Sequence, residues 1–228
     1  VGSEMCIRDR SYLPSQYGIS YLGKEENGWY DYVGDPVFFK NFPNDKRKEF
    51  CYITSTVDTK GNRIDWEDFD IGAPFIRKYR NYGGCGTYGI DGNTSTRSSL
   101  SEGLTPIYRF ADVLLIYAEA SNKAEGSPNT LAYKCLNRVR DRAFGDQSHQ
   151  YAGLTPEKFA DAVFDEFGWE NVFEFKRWFQ LVRTEKVDEA IGKNAAIGAR
   201  LNANKENYLF PIPVRQCELR GWKNNPGY

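Results

Sequence analysis

Three carboxylates surround one tryptophan in the first half of the chain, where Asp65, Glu67 and Asp68 flank Trp66. Paired carboxylates beside an aromatic ring are the minimal set for glycoside hydrolysis, in which one acid protonates the leaving oxygen and the other attacks or activates water. Spacing along one segment does not place two carboxylates on opposite sides of a sugar. The favoured interpretation is therefore a solvated turn, with hydrolysis as the alternative.

Two further patterns could carry chemistry but lack their structural context. Gly84-Cys85-Gly86-Thr87-Tyr88-Gly89 matches the dinucleotide fingerprint, yet turn-forming residues follow it in place of the helix that must hold the phosphates. His149 is the only imidazole base, it lies in a polar segment, and no G-x-S-x-G nucleophile elbow is present. We expect a glycine-rich loop, a surface histidine, no cofactor and no catalytic residue.

Three glutamates, Glu166, Glu170 and Glu174, recur at intervals of four, with Arg177 and Arg183 beyond them. At this spacing they lie along one stripe of a helix. Acidic pairs on a helix can bind metals, but the histidines that complete a carboxylate–histidine site are missing. Ion pairing with arginines on neighbouring helices is the favoured interpretation, and we expect no metal.

Cysteine spacing also argues against a zinc centre. Cys51, Cys85, Cys135 and Cys217 are far apart and include no C-x-x-C pair. Buried apolar cysteines are the favoured interpretation, and a disulfide framework is the alternative.

The first region is rich in aromatic residues set among glycine and polar neighbours. Flat rings with a polar tip match sugars, which present C–H groups on one face and hydroxyls at the rim. Any single ring is as readily a core residue, but the set predicts a polar, partly planar ligand. The candidate ligand-binding residues are Trp29, Tyr30, Tyr32, Trp66, Tyr79 and Tyr82.

Composition disfavours two classes of interaction. The 228 residues carry 30 basic and 31 acidic side chains, a net charge of −1, which argues against a nucleic-acid partner. The longest apolar run, 113–118, is far shorter than the roughly 18–20 residues that cross a bilayer.

The chain divides by composition into three parts. Residues 1–10 resemble a translated sequencing adapter, and we set them aside as an artefact. Residues 11–103 are loop-rich and aromatic, with short strands predicted at 50–54 and 75–79 and long loops at 21–35 and 81–99. Residues 104–228 are predicted to be helical.

Helix signals follow one another after Gly103. Thr105-Pro106 predicts the start of a first helix that ends at Gly126, and Ser127-Pro128 the start of a second that ends at Gly145. These two helices form a predicted hairpin. The apolar positions predicted to face the core are Phe110, Val113, Leu114 and Tyr117 in the first helix and Leu131, Cys135, Val139 and Ala143 in the second.

A third helix is predicted from Thr155-Pro156 to about Lys186, with a bend or break at Gly168. Its apolar face is predicted to run through Phe159, Val163 and Phe167, and after the glycine through Val172, Phe175, Phe179 and Val182. One hairpin has the size of a tetratricopeptide unit, about 34 residues, and cannot bury both of its faces alone. We expect it to stack on the third helix or on helices outside this sequence.

Four segments of the helical half resemble the SusD/RagB-type outer-membrane nutrient-binding lipoproteins. Residues 108–120 are similar to that family's Arg-x-Ala-Asp-Val-Leu-Leu-x-Tyr-Ala-Glu-Ala helix, 136–143 to its Asn-x-Val-Arg-x-Arg-Ala helix, and 173–183 to its Glu-Gly-x-Arg-Trp-Phe-Asp-Leu-x-Arg element. The end of the chain, 209–213 through 225–228, resembles the family's closing segment. Phe175, Gln180 and Phe167 depart from the pattern, at positions where the family usually has glycine, aspartate and arginine.

The resemblance implies a mainly α-helical, SusD-like fold of tetratricopeptide-like pairs with a loop-rich region that contains short strands. It implies a non-catalytic protein, held at the outer membrane by an N-terminal lipid, that binds oligosaccharides or polysaccharides and passes them to a TonB-dependent transporter. It also implies that the lipidated cysteine and the amino-terminal helical pairs lie outside this sequence. The helical motifs are scaffold in that family and contribute no ligand residue. A helical adaptor without its own ligand is a further alternative.

Overall fold

The computed structural model describes residues 32–57, 60–78, 106–187, 190 and 208–228. The predictions for 1–10, for the glycine-rich segment 84–89, for the loop 81–99 and for most of the loop 21–35 lie outside these ranges. The chain forms two compact units, Val1–Glu174 and Phe175–Tyr228. The composition boundary near 103 lies inside the first unit, so the division into 11–103 and 104–228 stays a prediction about role.

Two short helices open the described part of the first unit, α1 (Pro36–Asn41) and α2 (Lys46–Cys51). Each begins after an aspartate whose carboxylate accepts a backbone N–H of the first turn. Asp35 accepts from Phe38 at 2.7 Å, and Asp45 accepts from Arg47 at 2.8 Å. These caps allow helices of only six residues to begin at defined positions.

The described residues include four short strands, which form two antiparallel ribbons. Strands β1 (Tyr52–Ile53) and β4 (Phe75–Ile76) pair with Tyr52 opposite Ile76. Strands β2 (Ser55–Val57) and β3 (Arg63–Asp65) pair with Thr56 opposite Ile64. The short strands predicted at 50–54 and 75–79 are confirmed over two residues each, while Phe50 and Cys51 belong to α2.

A first core, rich in aromatic rings, lies under these elements. The ring of Tyr52 lies edge-on to the rings of Phe39 and Phe173, with centroids 4.8 and 5.0 Å apart. Such edge-to-face contacts are the favoured arrangement of aromatic rings. The buried members of this core are Phe39, Phe42, Cys51, Tyr52, Ile53, Trp66, Phe69, Phe75 and Val172.

Three long helices follow in the described part of the first unit: α3 (Phe110–Glu125), α4 (Thr130–Phe144) and α5 (Pro156–Glu170). The predicted hairpin of α3 and α4 is confirmed, and α5 packs against both helices. The predicted ends at Gly126 and Gly145 are also confirmed, with φ of 71° and 86°, a left-handed conformation that glycine adopts without steric penalty.

Helix starts are less well predicted than helix ends. Thr155 caps α5 as predicted, since its hydroxyl accepts the backbone N–H of Lys158 at 3.3 Å. The cap of α4 is Asn129 rather than Ser127-Pro128, and its side chain accepts the N–H of Ala132 at 2.8 Å. The start of α3 at Pro106 is wrong, because the helix begins only at Phe110, where Asp112 accepts the N–H of Arg109 at 2.6 Å.

The predicted apolar face of α3 holds at Leu114, which is partly buried against the helical core, and is wrong at the other three positions. Phe110, Val113 and Tyr117 are exposed, and the opposite face is buried. The prediction for α4 holds at Cys135, Val139 and Ala143 and fails at Leu131, which is exposed. The second core consists of Ala111, Leu115 and Ala118 from α3, Ala132, Cys135, Leu136 and Val139 from α4, and Phe159, Ala162 and Val163 from α5.

The break predicted at Gly168 is also misplaced. Helix α5 runs through Gly168 and ends at Glu170, so the glycine is accommodated inside a regular helix. The chain turns afterwards, where Phe173 and Phe175 adopt φ of 64° and 60°. Of the residues predicted to form the apolar face after Gly168, Val172 is buried as predicted, whereas Phe175 and Phe179 are exposed.

The second unit contains α6 (Arg177–Arg183) and α7 (Val214–Arg220) in its described part. The proline-flanked Ile212 is held at both of its backbone groups by the amide side chain of Asn224. Its N–H donates to Oδ1 at 2.7 Å, and its carbonyl accepts from Nδ2 at 3.2 Å. Two hydrogen bonds between Ile212 and Asn224 thus join the two ends of the closing segment.

Cys51, Cys135 and Cys217 are free thiols, and the first two are buried. The apolar interpretation is therefore confirmed for Cys51 and Cys135, while Cys85 lies outside the described ranges. Among the described helices, none is both long and apolar enough to cross a membrane.

We predict that Phe175→Gly stabilises the protein. A left-handed conformation costs a non-glycine residue roughly 1–2 kcal/mol, and Phe175 keeps it while more than half of its surface is exposed. Part of this gain is offset by the larger entropy of glycine in the unfolded chain, so we expect a net gain of about 1 kcal/mol in urea unfolding.

Phe173→Gly is the matched control, because Phe173 has the same φ but packs against Tyr52. Losing that ring should destabilise the protein by roughly 2 kcal/mol or more. Destabilisation by both variants would mean that the ring of Phe175 contributes more than its backbone conformation costs.

Candidate functional site

Two of the six candidate ligand residues, Tyr32 and Trp66, lie in the described ranges, and the other four lie outside them: Trp29, Tyr30, Tyr79 and Tyr82. Tyr32 is 51% exposed. Two residues further on, the backbone N–H of Gly34 donates to the carbonyl of Pro74 at 2.7 Å, next to β4. Tyr32 therefore presents much of its ring to solvent from a backbone that is anchored nearby.

Trp66 occupies a different environment, because it is only 8% exposed. It begins a 3-10 turn (Trp66–Asp68), and its ring lies edge-on to Phe39 at 5.5 Å between centroids. The ammonium group of Lys40 lies 5.6 Å from the ring centroid. The structure thus places Trp66 in the first core, and the ligand role of all six residues stays a prediction.

The carboxylates beside Trp66 point to water. Asp65, Glu67 and Asp68 are all exposed. Asp65 accepts a hydrogen bond from Arg63 at 3.1 Å, in an ion pair whose side chains are 70% and 57% exposed. The interpretation as a solvated turn is confirmed.

His149 lies at the surface, as predicted. Its ring stacks on Phe144, with centroids 3.8 Å apart and planes 21° apart, and its backbone carbonyl accepts from Nε of Arg140 at 2.8 Å. In the described ranges, no group of three or more His, Cys, Asp or Glu side chains is arranged to hold a metal ion.

The glutamate stripe on α5 carries the main polar feature of the first unit. Glu166 is fully buried and lies between two guanidinium groups. Its Oε1 accepts from Arg47 of α2 at 2.7 Å, and its Oε2 accepts from Arg140 of α4 at 2.8 Å. Arg47 also binds Asp45, with Nη2 and Oδ2 2.6 Å apart. The predicted ion pairing is confirmed at this residue.

Glu170, one turn further along α5, receives three guanidinium groups. Its Oε1 accepts from Arg109 at 2.7 Å. Its Oε2 accepts from Arg47 at 3.2 Å and also from Arg142. Arg109 stands directly before α3, so this carboxylate connects α2, α3, α4 and α5.

Glu174 completes the stripe just beyond the end of α5. Its Oε1 lies 2.6 Å from Nζ of Lys78 and 2.8 Å from Nη2 of Arg109. Lys78 also donates to the carbonyl of Val172 at 3.0 Å. We call the whole set the ion cluster: Asp45, Glu166, Glu170 and Glu174 with Arg47, Lys78, Arg109, Arg140 and Arg142.

Four carboxylates and five cations leave the ion cluster with a formal charge of +1. Burial raises the pKa of the Glu166 carboxyl despite the two guanidinium groups beside it. Burial acts in the same direction on Glu170, but hydrogen bonds from Arg142 and Arg109 outweigh it and hold the pKa of Glu170 below its usual value. The pKa values of Glu166 and Glu170 are therefore shifted in opposite directions by folding.

The ion cluster positions the described short elements that precede residue 79. Arg47 belongs to α2 and Lys78 follows β4, whereas the glutamates that pair with them belong to α5 or follow it. The segment that carries Tyr32 is joined to the same β4 region through Gly34 and Pro74. Ion pairing thus fixes the short elements, and the exposed ring near them, to the long helices.

The model of the SusD family matches residues 21–228. The chain belongs to the SusD family. This result confirms the resemblance recognised in the four helical motifs, and the match extends through the loop-rich region of this SusD-family chain as well.

Two relatives come from Formosa agariphila. The chain is 33% identical to SusD-like protein P2 in an alignment 239 residues long, which covers 96% of this chain and 45% of that protein. It is 31% identical to SusD-like protein P25 over 199 residues, which cover 87% of this chain and 34% of that protein. The chain therefore spans less than half the length of these relatives.

Solved structures share the fold at lower identity. A SusD homolog from Bacteroides thetaiotaomicron aligns with a TM-score of 0.71 at 19% identity, covering 96% of this chain and 48% of that one. Surface glycan-binding protein A from Bacteroides uniformis aligns with a TM-score of 0.62 at 24% identity, covering 95% and 47%. A laminarin binding SusD-like protein gives 0.63 at 21%, covering 96% and 44%. The predicted mainly α-helical, SusD-like fold is confirmed.

We predict that Arg140→Met lowers the free energy of unfolding by roughly 3–5 kcal/mol, because it leaves part of the buried charge of Glu166 unmatched. The control is Arg63→Met, which breaks the exposed pair with Asp65 and should cost less than about 1 kcal/mol. Urea unfolding measures both. Equal small losses would show that the buried pair is no more important than the exposed one.

The pH dependence of stability should depend on which glutamate is changed. The folded pKa of Glu170 lies below its ordinary 4.5, so its contribution is present above pH 4.5 and is lost as the pH falls through the folded value. Glu170→Gln should therefore reduce the loss of stability on acidification through this range.

Glu166→Gln should have the opposite effect. The folded pKa of Glu166 is raised, so its contribution is present below 4.5 and is lost as the pH rises through the folded value. Removing it should steepen the loss of stability in acid. Urea unfolding over a pH series gives the slope of the unfolding free energy against pH for each variant. If both variants changed this slope in the same direction, the opposite pKa shifts assigned to Glu166 and Glu170 would be wrong.

Proposed function

We propose that this protein binds glycans without converting them, at the surface of the outer membrane, and passes them to a TonB-dependent transporter. The observation that carries the proposal is the match of the SusD family over residues 21–228. Proteins of the same fold include one named for surface glycan binding and one named for laminarin binding, which supports a glycan as ligand. A lipid at the N-terminus of the longer polypeptide is part of the same proposal.

The chemistry of the described acids and base supports binding without catalysis. Glu166, Glu170 and Glu174 are matched by arginine and lysine in the ion cluster. Asp65 and its neighbours are open to water, and His149 is stacked on Phe144. These groups are engaged in structural contacts or solvated, whereas a glycosidase needs two carboxylates facing each other across the scissile bond.

The ligand class follows from the aromatic residues before Gly103. Tyr32 offers an exposed ring and a hydroxyl, and Trp29 and Tyr30 precede it closely in sequence. A row of such rings suits the faces of successive sugar units in an extended chain. We propose Trp29, Tyr30, Tyr32, Tyr79 and Tyr82 as ligand residues, and for Trp66, which is buried against Phe39, a supporting role within the first core.

A direct test is calorimetric titration of the purified protein with laminarin and with a panel of other soluble polysaccharides, together with an assay for reducing sugar. We expect saturable binding to at least one glycan and no release of reducing ends. Release of reducing sugar would instead favour hydrolysis through Asp65, Glu67 or Asp68. Co-purification with a transporter without any glycan binding would favour a helical adaptor.

We predict that Tyr32→Ala weakens binding of the best glycan by about fivefold, because one stacked ring is worth roughly 1 kcal/mol. Tyr228→Ala is the matched control, since that tyrosine is equally exposed but lies at the end of the second unit. Affinity should be unchanged in the control. An equal effect of both variants, or no effect of the first, would remove Tyr32 from the ligand site.

A further inference from the structure

Gly34 lies directly against the ring of a buried tyrosine. A Cβ atom added at Gly34 would lie 2.7 Å from Cε1 and 3.1 Å from Cδ1 of Tyr52, and 3.1 Å from the carbonyl oxygen of Pro74. Carbon atoms that are not bonded to each other normally meet at about 3.5–4.0 Å. The backbone at position 34 therefore approaches the ring this closely only because glycine has no side chain.

The Tyr52 ring is held in place by its neighbours. Its edge-on contacts join it to Phe39, Phe42 and Phe173, with ring centroids 4.8, 5.7 and 5.0 Å apart. Tyr52 is only 2% exposed. Because a close-packed interior resists the movement of a buried ring, the surface against which Gly34 rests is rigid.

Tyr52 makes this contact through its ring carbons rather than through its hydroxyl. The hydroxyl oxygen is buried and has no hydrogen-bond partner among the described residues. Burying an unpaired hydroxyl group costs free energy, so a hydrogen bond within the described ranges does not account for a tyrosine at this position. The edge of the ring, at Cε1 and Cδ1, is the part that meets the backbone of Gly34.

The backbone is fixed more firmly after Gly34 than before it. Asp35 caps the first turn of α1, and Pro36, the first residue of that helix, is buried. On the other side, Val33 is only partly buried against the first core, and Tyr32 is exposed. A displacement of the backbone at position 34 is therefore transmitted toward Tyr32 rather than into α1.

We propose that Gly34 and Tyr52 are positioning residues for the Tyr32 ring. The edge of the Tyr52 ring and the hydrogen bond from the Gly34 N–H to Pro74, 2.7 Å long, together fix the backbone two residues after Tyr32. Neither residue has to touch a glycan to act in this way. This inference rests on the proposed function in making Tyr32 a ligand residue, whereas the positioning itself depends only on packing.

Fluorine NMR tests the positioning without any glycan. 3-Fluorotyrosine is placed at position 32 of the 228-residue chain, so that the spectrum contains the signal of this ring alone. We expect Gly34→Ala to shift or broaden the signal. The same variant should speed hydrogen exchange of the amide at position 34 by at least about tenfold, because its hydrogen bond to Pro74 is lost.

Two controls separate positioning from general damage. Tyr52→Phe keeps both ring carbons beside Gly34, so the fluorine signal and the exchange rate should stay unchanged. Thr155→Ala removes the side-chain cap of α5 and should lower stability without moving the signal.

A compensating pair tests the contact itself. Tyr52→Leu removes the ring atoms that the added methyl group of Gly34→Ala would meet. Gly34→Ala should therefore perturb the signal of position 32 less when Tyr52→Leu is also present than when it is introduced alone. If Tyr52→Leu does not fold, the comparison of Gly34→Ala with Tyr52→Phe and Thr155→Ala decides.

Titration with laminarin and the same panel of polysaccharides tests the role in binding. For the polysaccharide that binds best, Gly34→Ala should weaken affinity by up to about fivefold, the loss expected for Tyr32→Ala. Combining the two substitutions should cause no further loss, because Gly34 acts through the Tyr32 ring. Tyr52→Phe and Thr155→Ala should leave affinity unchanged.

Two results would overturn the inference. An unchanged fluorine signal in Gly34→Ala would mean that the chain accepts the added methyl group without moving Tyr32. A shifted signal with unchanged affinity, in a protein whose affinity falls on Tyr32→Ala, would mean that the position of the ring does not limit binding. If the unsubstituted protein bound none of the polysaccharides, the proposed function would fail, and the fluorine signal would still decide the positioning.

Discussion

Glu166 sets the main physical constraint on the first compact unit. A fully buried carboxylate is tolerated only when its charge is matched and its oxygens accept hydrogen bonds. Both oxygens of Glu166 meet this condition, one through Arg47 and the other through Arg140. Because those arginines come from α2 and α4, this carboxylate can be matched only when three separate segments are assembled together. The hydrogen bonds of Glu166 thus favour one arrangement of these three segments.

The neighbouring glutamates extend the same constraint. Arg109 serves both Glu170 and Glu174, and Lys78 reaches Glu174 from the strand region. The short strands and six-residue helices before residue 78 would form only weak structures alone. Both the aromatic core and the ion cluster include a buried residue just after the end of α5. Val172 belongs to the aromatic core, and Glu174 belongs to the ion cluster. Apolar and ionic contacts therefore hold the described short elements before residue 79 at the same place.

Local sequence signals predicted the features that are decided locally. Gly126, Gly145 and Thr155 mark helix ends because a left-handed turn or a side-chain cap depends on one residue and its near neighbours. The ion pairing of the glutamate stripe was also predictable, since the spacing of four and the lack of histidine were both visible. Its partners Arg47 and Lys78 were not, because 119 residues separate Arg47 from Glu166 and no local pattern records that distance.

The candidate ligand residues show the same limit. Tyr32 and Trp66 are both aromatic residues in polar surroundings, yet one ring is half exposed and the other lies in the first core. The difference arises from tertiary contacts, since Trp66 meets Phe39 from a separate helix while Tyr32 precedes α1. Composition therefore predicts a region for ligand binding, whereas the exposure of each ring is decided by the fold.

The misassigned face of α3 follows from a real ambiguity in its sequence. With large apolar residues at 110, 113 and 117 and smaller ones at 111 and 118, periodicity favours the larger side as core. Close packing against α4 and α5 favours the smaller side, because alanine lets the helices approach. Arg109 fixes the rotation of α3 about its own axis. Its contacts with Glu170 and Glu174, together with the hydrogen bond from its backbone N–H to Asp112, hold the first turn in place. The ion cluster thus directs the alanine side inward and leaves Phe110, Val113 and Tyr117 as the outer surface of the hairpin.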